Sequence, residues 1–266
     1  MAIRTVFRMV EECSKDEHQG WYELVETYGP IARSLIEQYF PMLVPELNAH
    51  IVALLRRART GNNEWVRKVT FTNEREFLMA FRDLVFAYGR EVARVPVPQL
   101  SLSQVEEIMT GLSVLEREML WLFIKGHNAQ QIAAMMMNAV ATADAVKKIA
   151  DERLAQVLPG STPDAFNISA RALMEQAEKA KSEQCLPIKT FNNLVNGQIT
   201  WREREIAEEH IKGCFYCLDR FTAFQEMGVL RRNVQPLDEK HVQGVLAALN
   251  VPAKSKGIWG RLLAKS

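Results

Sequence analysis

The sequence predicts an all-α protein built of small helical domains joined by linkers. Three observations carry this expectation. Apolar residues recur at three-and-four spacing along most of the chain, with little of the strict alternation that marks a half-buried strand. Turn-forming, proline-bearing breaks interrupt that periodicity at Val95-Pro96-Val97-Pro98 and at Leu158-Pro159-Gly160-Ser161-Thr162-Pro163. Late in the chain, His210, Cys214 and Cys217 stand at the spacing H-x3-C-x2-C, with Cys185 upstream. The breaks divide the chain into residues 1–95, 100–158 and 164–235, with a C-terminal tail over 236–266.

Residues 1–95 read as three amphipathic helices. Trp21, Leu24, Val25, Tyr28, Ile31, Leu35 and Ile36 set the first, in which Pro30 marks a kink or an early boundary. Leu47, Ile51, Leu54 and Leu55 begin the second, which runs into Arg56-Arg57-Ala58-Arg59-Thr60-Gly61. Cations there suit the carboxyl end of a helix dipole, and the glycine suits a cap. Phe77, Phe81, Leu84, Val85 and Tyr88 set the third. The clusters Arg56/Arg57/Arg59 and Arg67/Lys68, with Trp65 as a stacking group, have two readings: contact with nucleic acid or an acidic surface, or a solvated helix end and loop.

Residues 100–158 form a compact helical segment. Ser103-x-x-Glu106 offers a capping box, and Leu112, Leu115, Met119, Leu120, Leu122 and Phe123 form a buried stripe. After the break at Lys125-Gly126-His127-Asn128, two helices are expected at Ala129–Met136 and at about Thr142–Val157. A short helix, a tight turn and a second helix is the helix-turn-helix arrangement, whose second helix lies in the major groove of DNA.

A charged, alanine-rich helix over 164–184 leads into the cysteines. On a helix, positions i, i+4 and i+7 return to nearly one face, so His210, Cys214 and Cys217 can point at one ion. Zinc takes four nitrogen or sulfur ligands in a tetrahedron, and Cys185 is the candidate for the fourth. Phe191, Leu194 and Val195 make an apolar stripe that Asn196-Gly197 ends, and Thr200-x-x-Glu203 opens the next helix as a capping box. The result is a helical hairpin stapled by zinc. Four protein ligands leave no open coordination position, which argues against a zinc hydrolase. Oxidation of the thiolates is one signal such a site admits; a purely structural zinc is the plainer reading.

The whole chain narrows the function classes. A net charge of +1 over 266 residues excludes a bulk polycation, so any nucleic-acid contact rests on local patches. Three of four cysteines in a metal pattern fit a reducing compartment better than a disulfide framework. There is no signal-peptide pattern near the start and no apolar run long enough for a membrane span, so a soluble, cytoplasmic protein is expected. No nucleophile triad, phosphate-binding glycine loop or paired-carboxylate constellation is present, and no enzymatic activity is expected. The stretch Lys254–Lys265 is short, basic and amphipathic, with Trp259 as its one aromatic anchor.

Two resemblances sharpen these expectations. Cys185, Gly197-Gln-Ile-Thr-Trp-Arg-Glu203 and His210-x3-Cys214-x2-Cys217 resemble the zinc-containing anti-sigma domain family, small helical modules that bind a sigma factor of RNA polymerase. Leu112-Ser-Val-Leu-Glu-Arg-Glu-Met-Leu-Trp-Leu122, Gly126, Gln131-Ile132-Ala133 and Thr142 to Leu154 are similar to region 4 of the extracytoplasmic-function (ECF) sigma factors, which reads promoter DNA. That likeness implies that Thr142, Ala143, Asp144, Lys147 and Lys148 face DNA while Val146, Ile149 and Leu154 pack inward. Residues 20–95 then occupy the place of sigma region 2, with core RNA polymerase as partner. Two departures stand against it. The acidic core-binding signature is replaced by Pro45-Glu-Leu-Asn-Ala-His50, and the second helix mixes Lys147, Lys148 and Arg153 with Asp144, Asp151 and Glu152. The implied function is a sigma-like transcription regulator controlled in cis by its own zinc module. The alternative is a degenerate sigma-like scaffold, or an anti-sigma factor, that sequesters a partner without binding promoters.

Overall fold

The computed structural model describes residues 5–94 and 97–251. Val95 and Pro96 of the expected first linker, and the basic stretch Lys254–Lys265, lie outside the described residues. Among the described residues there are thirteen α-helices, one 3-10 turn and no strand, so the protein is all-α. None of these helices is long and apolar enough to cross a membrane. The chain divides into two compact units, Met1–Gly89 with Val234–Ser266, and Arg90–Asn233.

The first unit contains α1 (Val6–Ser14), α2 (His18–Tyr39), a 3-10 turn (Pro41–Glu46), α3 (Leu47–Lys68) and most of α4 (Glu74–Val92). Trp21, Leu24, Ile31, Leu35, Phe77 and Phe81 are fully shielded in its core, and Tyr28 stands edge-on to Phe77 and Phe81 at 5.0 and 5.9 Å. α2 runs straight through Pro30. A proline inside a helix removes one amide donor and leaves the carbonyl four residues earlier without its partner. That carbonyl belongs to Glu26, and the Leu237 N–H donates to it at 3.1 Å. A distant segment thus completes the helix that Pro30 would otherwise interrupt.

α3 is broken at Thr60, Gly61, Asn62 and Asn63, the last three with positive φ, where the glycine cap was expected. The basic clusters around this break are turned back into their own unit. Arg59 makes two hydrogen bonds to the Asp16 carboxylate at 2.7 and 2.9 Å, and Arg67 donates to the Ser14 carbonyl at 3.1 Å. Trp65 lies edge-on to Phe77 and Phe81. These contacts favour the structural reading of the clusters over a nucleic-acid surface.

The second unit holds α5 (Leu102–Met109), α6 (Val114–Ile124), α7 (Ala129–Met136), α8 (Val140–Val157), α9 (Asp164–Lys179), α10 (Ile188–Asn196), α11 (Trp201–Gly213) and α12 (Phe215–Asn233). α6 is its axis. Met119, Leu120, Trp121, Leu122 and Ile124 are all at 0% exposure, so this helix is buried on every side, as its near-continuous apolar run requires. α7, α8, α9, α11 and α12 all pack against it. Capping boxes open α5, α6 and α7, formed by Ser101/Gln104, Ser113/Glu116 and Asn128/Gln131. The box at α5 sits two residues ahead of the expected Ser103/Glu106 pair, because the helix begins at Leu102. Met137, in the left-handed conformation, ends α7 and turns the chain into α8.

Leu158–Pro163, expected to separate two domains, is a turn inside this unit: α12 packs on α6, α7 and α9 across it. The chain then returns to the first unit, where residues expected as a tail form α13 (Glu239–Ala248). α13 buries Val242, Leu246 and Leu249, mainly against α2. Its final carbonyls, on Ala248 and Leu249, accept from Arg56 and Arg59, cations placed where the helix dipole favours them.

The corner between α1 and α2 depends on a missing side chain. A Cβ at Gly20 would lie 2.5 Å from the Cys13 amide nitrogen and 2.8 Å from the Glu12 carbonyl carbon, and backbone cannot move aside cheaply. Gly20→Ala should therefore destabilise the first unit by about 1–3 kcal/mol in chemical denaturation, although alanine is the better helix former. An unchanged or raised midpoint would contradict this packing.

Candidate metal centre

Cys185, His210, Cys214 and Cys217 converge at one end of α11. Their ligand atoms all lie within 4.8 Å of one another. Each is brought there by a separate device. Cys185 closes a turn after α9, its sulfur accepting from the Ser182 amide at 3.2 Å. The Thr200/Glu203 capping box opens α11, which carries His210 in its last turn. The expectation that His210, Cys214 and Cys217 share one helix is corrected by the backbone. α11 ends at Gly213, Cys214 is extended at φ −131° and ψ 108°, and Cys217 lies in the first turn of α12. The kink matters chemically, because ligands on a straight helix form a row, whereas a corner lets them surround a point. The turn between α10 and α11 is made by Gly197 at φ 65°, and instead of pairing closely with each other as the expected hairpin both helices pack on α12.

The donor set fits a tetrahedral metal ion. Tetrahedral zinc with thiolate bonds of about 2.3 Å places sulfurs about 3.8 Å apart, and Cys185 Sγ lies 3.9 Å from Cys214 Sγ. The His210 Nε2 atom is buried without a hydrogen-bond partner, which is the condition of a nitrogen kept for a metal. Cys217 is fully buried; that burial drives its thiol pKa up, against the hydrogen bond from the Leu186 amide. At Cys185 burial also opposes ionisation, but donors from Ser182 and the neighbouring thiols prevail and lower its pKa. A cation at the centre would complete what those donors begin, since a coordinating thiol is held as thiolate. Cys13, by contrast, is a buried thiol of the first unit.

The corner bearing the four metal-capable side chains, and α12 beyond it, are joined to α6 and the loop before α7 by polar contacts that sequence reasoning missed. The Trp121 indole donates to Asp219 at 3.0 Å, two residues beyond Cys217. Arg117 donates to the Lys212 carbonyl at 2.8 Å and forms a bidentate pair with Glu106. Further along α12, Glu226 pairs with Lys125 and with His127, each at 3.0 Å, and all three side chains are at most 6% exposed. Removing one member of such a buried set leaves uncompensated charge, so the set fixes the register of α12 against α6 and α7. The signal was present in the sequence. Asp219 and Glu226 are seven residues apart among Phe221, Phe224 and Met227, placing charge on an apolar helix face that needs partners.

Among the expected DNA contacts, Asp144, Lys147 and Lys148 are exposed and Thr142 is partly so. Ala143 is corrected: it is fully buried, because α7 packs over that side of α8. Val146 and Leu154 are buried as expected and Ile149 is half-buried. Lys147 is paired with Asp151 at 2.6 Å, and Arg153 donates to the carbonyls of Ile108 and Thr110. The cationic charge that α8 offers outward is small.

Two outcomes are expected. Purified protein should carry a single tightly bound ion that is lost in Cys214→Ser and His210→Ala but kept in Cys13→Ala, as read by elemental analysis. Chelation should lower the melting temperature and shift the emission of buried Trp121 to the red. Glu118 supplies the second. Burial pushes its carboxyl up to about 8, aided by Glu208 and opposed by a hydrogen bond from Gln225. The folded state therefore binds more protons than the unfolded state between about pH 4.3 and 8, so stability falls as pH rises through that window. The loss should be on the order of a few kcal/mol, and Glu118→Gln should flatten it; identical pH profiles would refute the assignment.

Comparison with protein-family models, curated proteins and solved structures finds no match to the chain, so its function is argued from this site and its surroundings.

Proposed function

We propose that the chain is a transcription regulator in which a zinc-stapled module, built onto a helix-turn-helix, controls in cis the binding of a sigma-like protein to promoter DNA or core RNA polymerase. Cys185, His210, Cys214 and Cys217 hold the zinc. The ion supplies a structural crosslink between the turn after α9, α11 and α12. The observation that carries the reading is the polar connection from that corner and α12 to α6 and the loop that leads into α7: Trp121 to Asp219, Arg117 to Lys212, and Lys125 with His127 to Glu226. A module joined in this way to α6 and α7 sets the geometry in which α8 is presented. Thr142, Asp144, Lys147 and Lys148 are the side chains available for contact.

A second reading is favoured by charge. Residues 101–158 carry 5 basic and 7 acidic side chains, and phosphate neutralisation supplies most sequence-independent affinity for DNA. On this reading the chain is a sigma-like scaffold that holds a protein partner. Trp201 and Ile206, exposed at 76% and 60% on α11, offer an apolar surface for it.

Retention of the full chain on immobilised core RNA polymerase, with and without zinc, separates the two. A regulator of the first kind is retained, and its retention changes severalfold on chelation. Absence of retention in both states would overturn it in favour of the scaffold. Any duplex binding should show a shallow dependence on salt, because few cations face outward.

A further inference from the structure

The first unit contains a cleft of about 310 Å³ between α2, α3 and α13. Its walls are largely apolar, with Ile51 and Val52 from α3 and Val245 from α13. Its polar lining comprises two cations, Arg33 of α2 and Lys240 of α13, with the neutral Asn48 of α3 and with His241 of α13. Among the described residues no carboxylate lines it. Glu37 pairs with Arg33 and Asp238 with His241, but neither belongs to the cleft wall. The volume lies at the lower end of the range for small-molecule sites, which are mainly apolar with a few convergent polar groups.

Two glycines line it, with opposite effects. Gly29 sits inside α2, where a Cβ would come within 3.2 Å of the Leu237 side chain, so its absence lets the lead-in to α13 approach closely enough to cap the Glu26 carbonyl. Gly244 is different. It lies in the interior of α13, where glycine is a poor helix former, and a Cβ built there meets nothing within 4 Å. No packing requirement explains that glycine, and its effect is to leave the cleft open.

We propose that this cleft binds a medium-chain alkyl carboxylate, with the hydrocarbon chain along Ile51, Val52 and Val245 and the carboxylate at Arg33 and Lys240. The assignment follows from charge complementarity and shape: an apolar slot with a cationic rim selects an amphiphile with an anionic head over a neutral or cationic one. It is independent of the metal site. Because the ligand touches both α13 and the helices beneath, its occupancy holds α13 down, and by mass action it stabilises the folded unit.

The probe is decanoate, titrated against the full chain below its micellar range and compared with decanol, decyltrimethylammonium and an acidic amphipathic peptide. Decanoate should saturate at one site and raise the melting temperature, and decyltrimethylammonium should do neither. Decanol should bind at least tenfold more weakly. Gly244→Phe fills the open space and should abolish binding while leaving the unliganded melting temperature equal or higher, since it replaces a glycine in a helix at an unobstructed position. Arg33→Gln with Lys240→Gln should weaken decanoate at least tenfold and leave decanol unchanged. Equal binding of decanoate and the cationic amphiphile, unchanged binding in Gly244→Phe, or binding of the peptide but not of decanoate would each overturn the proposal.

Discussion

The second unit depends on α12 lying against α6 in one register. α6 is buried on every side and has no exposed face to which charge could escape, so the polar groups at its flanks, Arg117, Lys125 and His127, must find partners inside the unit. α12 and the end of α11 provide them. Apolar burial alone is nondirectional and would permit sliding, whereas Glu226 meets Lys125 and His127 in only one position, and Asp219 meets Trp121 in only one. The same register brings Cys217 to the corner where Cys185, His210 and Cys214 lie. The four-residue cluster and the packing of α7 on α6 and α12 are therefore consequences of one register, and neither can shift by a helical turn without breaking the other.

The first unit shows the same logic with a backbone group. Pro30 leaves the Glu26 carbonyl without its helical donor, and an unpaired buried carbonyl costs free energy comparable to a lost hydrogen bond. The Leu237 amide, more than two hundred residues away, repairs it. Arg56 and Arg59 do the same for the carbonyls that α13 leaves open at its end. A segment that reads as a tail is held because it satisfies defects in helices formed long before it in the chain. Arg56 and Arg59, which look like part of a nucleic-acid patch in one dimension, are in three the cap of a helix.

These cases mark what could be read from the sequence. Periodicity located many of the helices, though not α1 or α13: α7 begins and ends at the expected Ala129 and Met136, and the Thr200/Glu203 box opens α11 where its chemistry required. The four metal-capable side chains were legible from spacing alone. Their geometry was not, since i, i+4, i+7 suits both a straight helix and a corner, and the extended backbone at Cys214 leaves no mark in residue type. The division at Leu158–Pro163 misled for a related reason. Turn formers report that the backbone bends; they do not report whether the segments on either side share a core. That depends on long-range pairs such as Trp121–Asp219, which local composition cannot express.

The shared core also bears on how a metal could control the helix-turn-helix. A module that masks a DNA-reading face must lie on that face and leave it on signal. The main contacts of α11 and α12 are instead with α6, α7 and α9, behind α8, while Asp144, Lys147 and Lys148 stay exposed. Under the proposed function, control from behind would work by support: an ion held by Cys185, His210, Cys214 and Cys217 would brace α12, which packs on α6 and α7, and these pack on α8. Loss of that ion would then loosen α8 without uncovering it. Small zinc modules draw most of their folding free energy from the ion. Here α12, which carries Cys217, shares its core with α6, so under the proposed function the free energy of a bound ion would be spread through the whole unit, and its removal would give graded loosening instead of detachment of one piece.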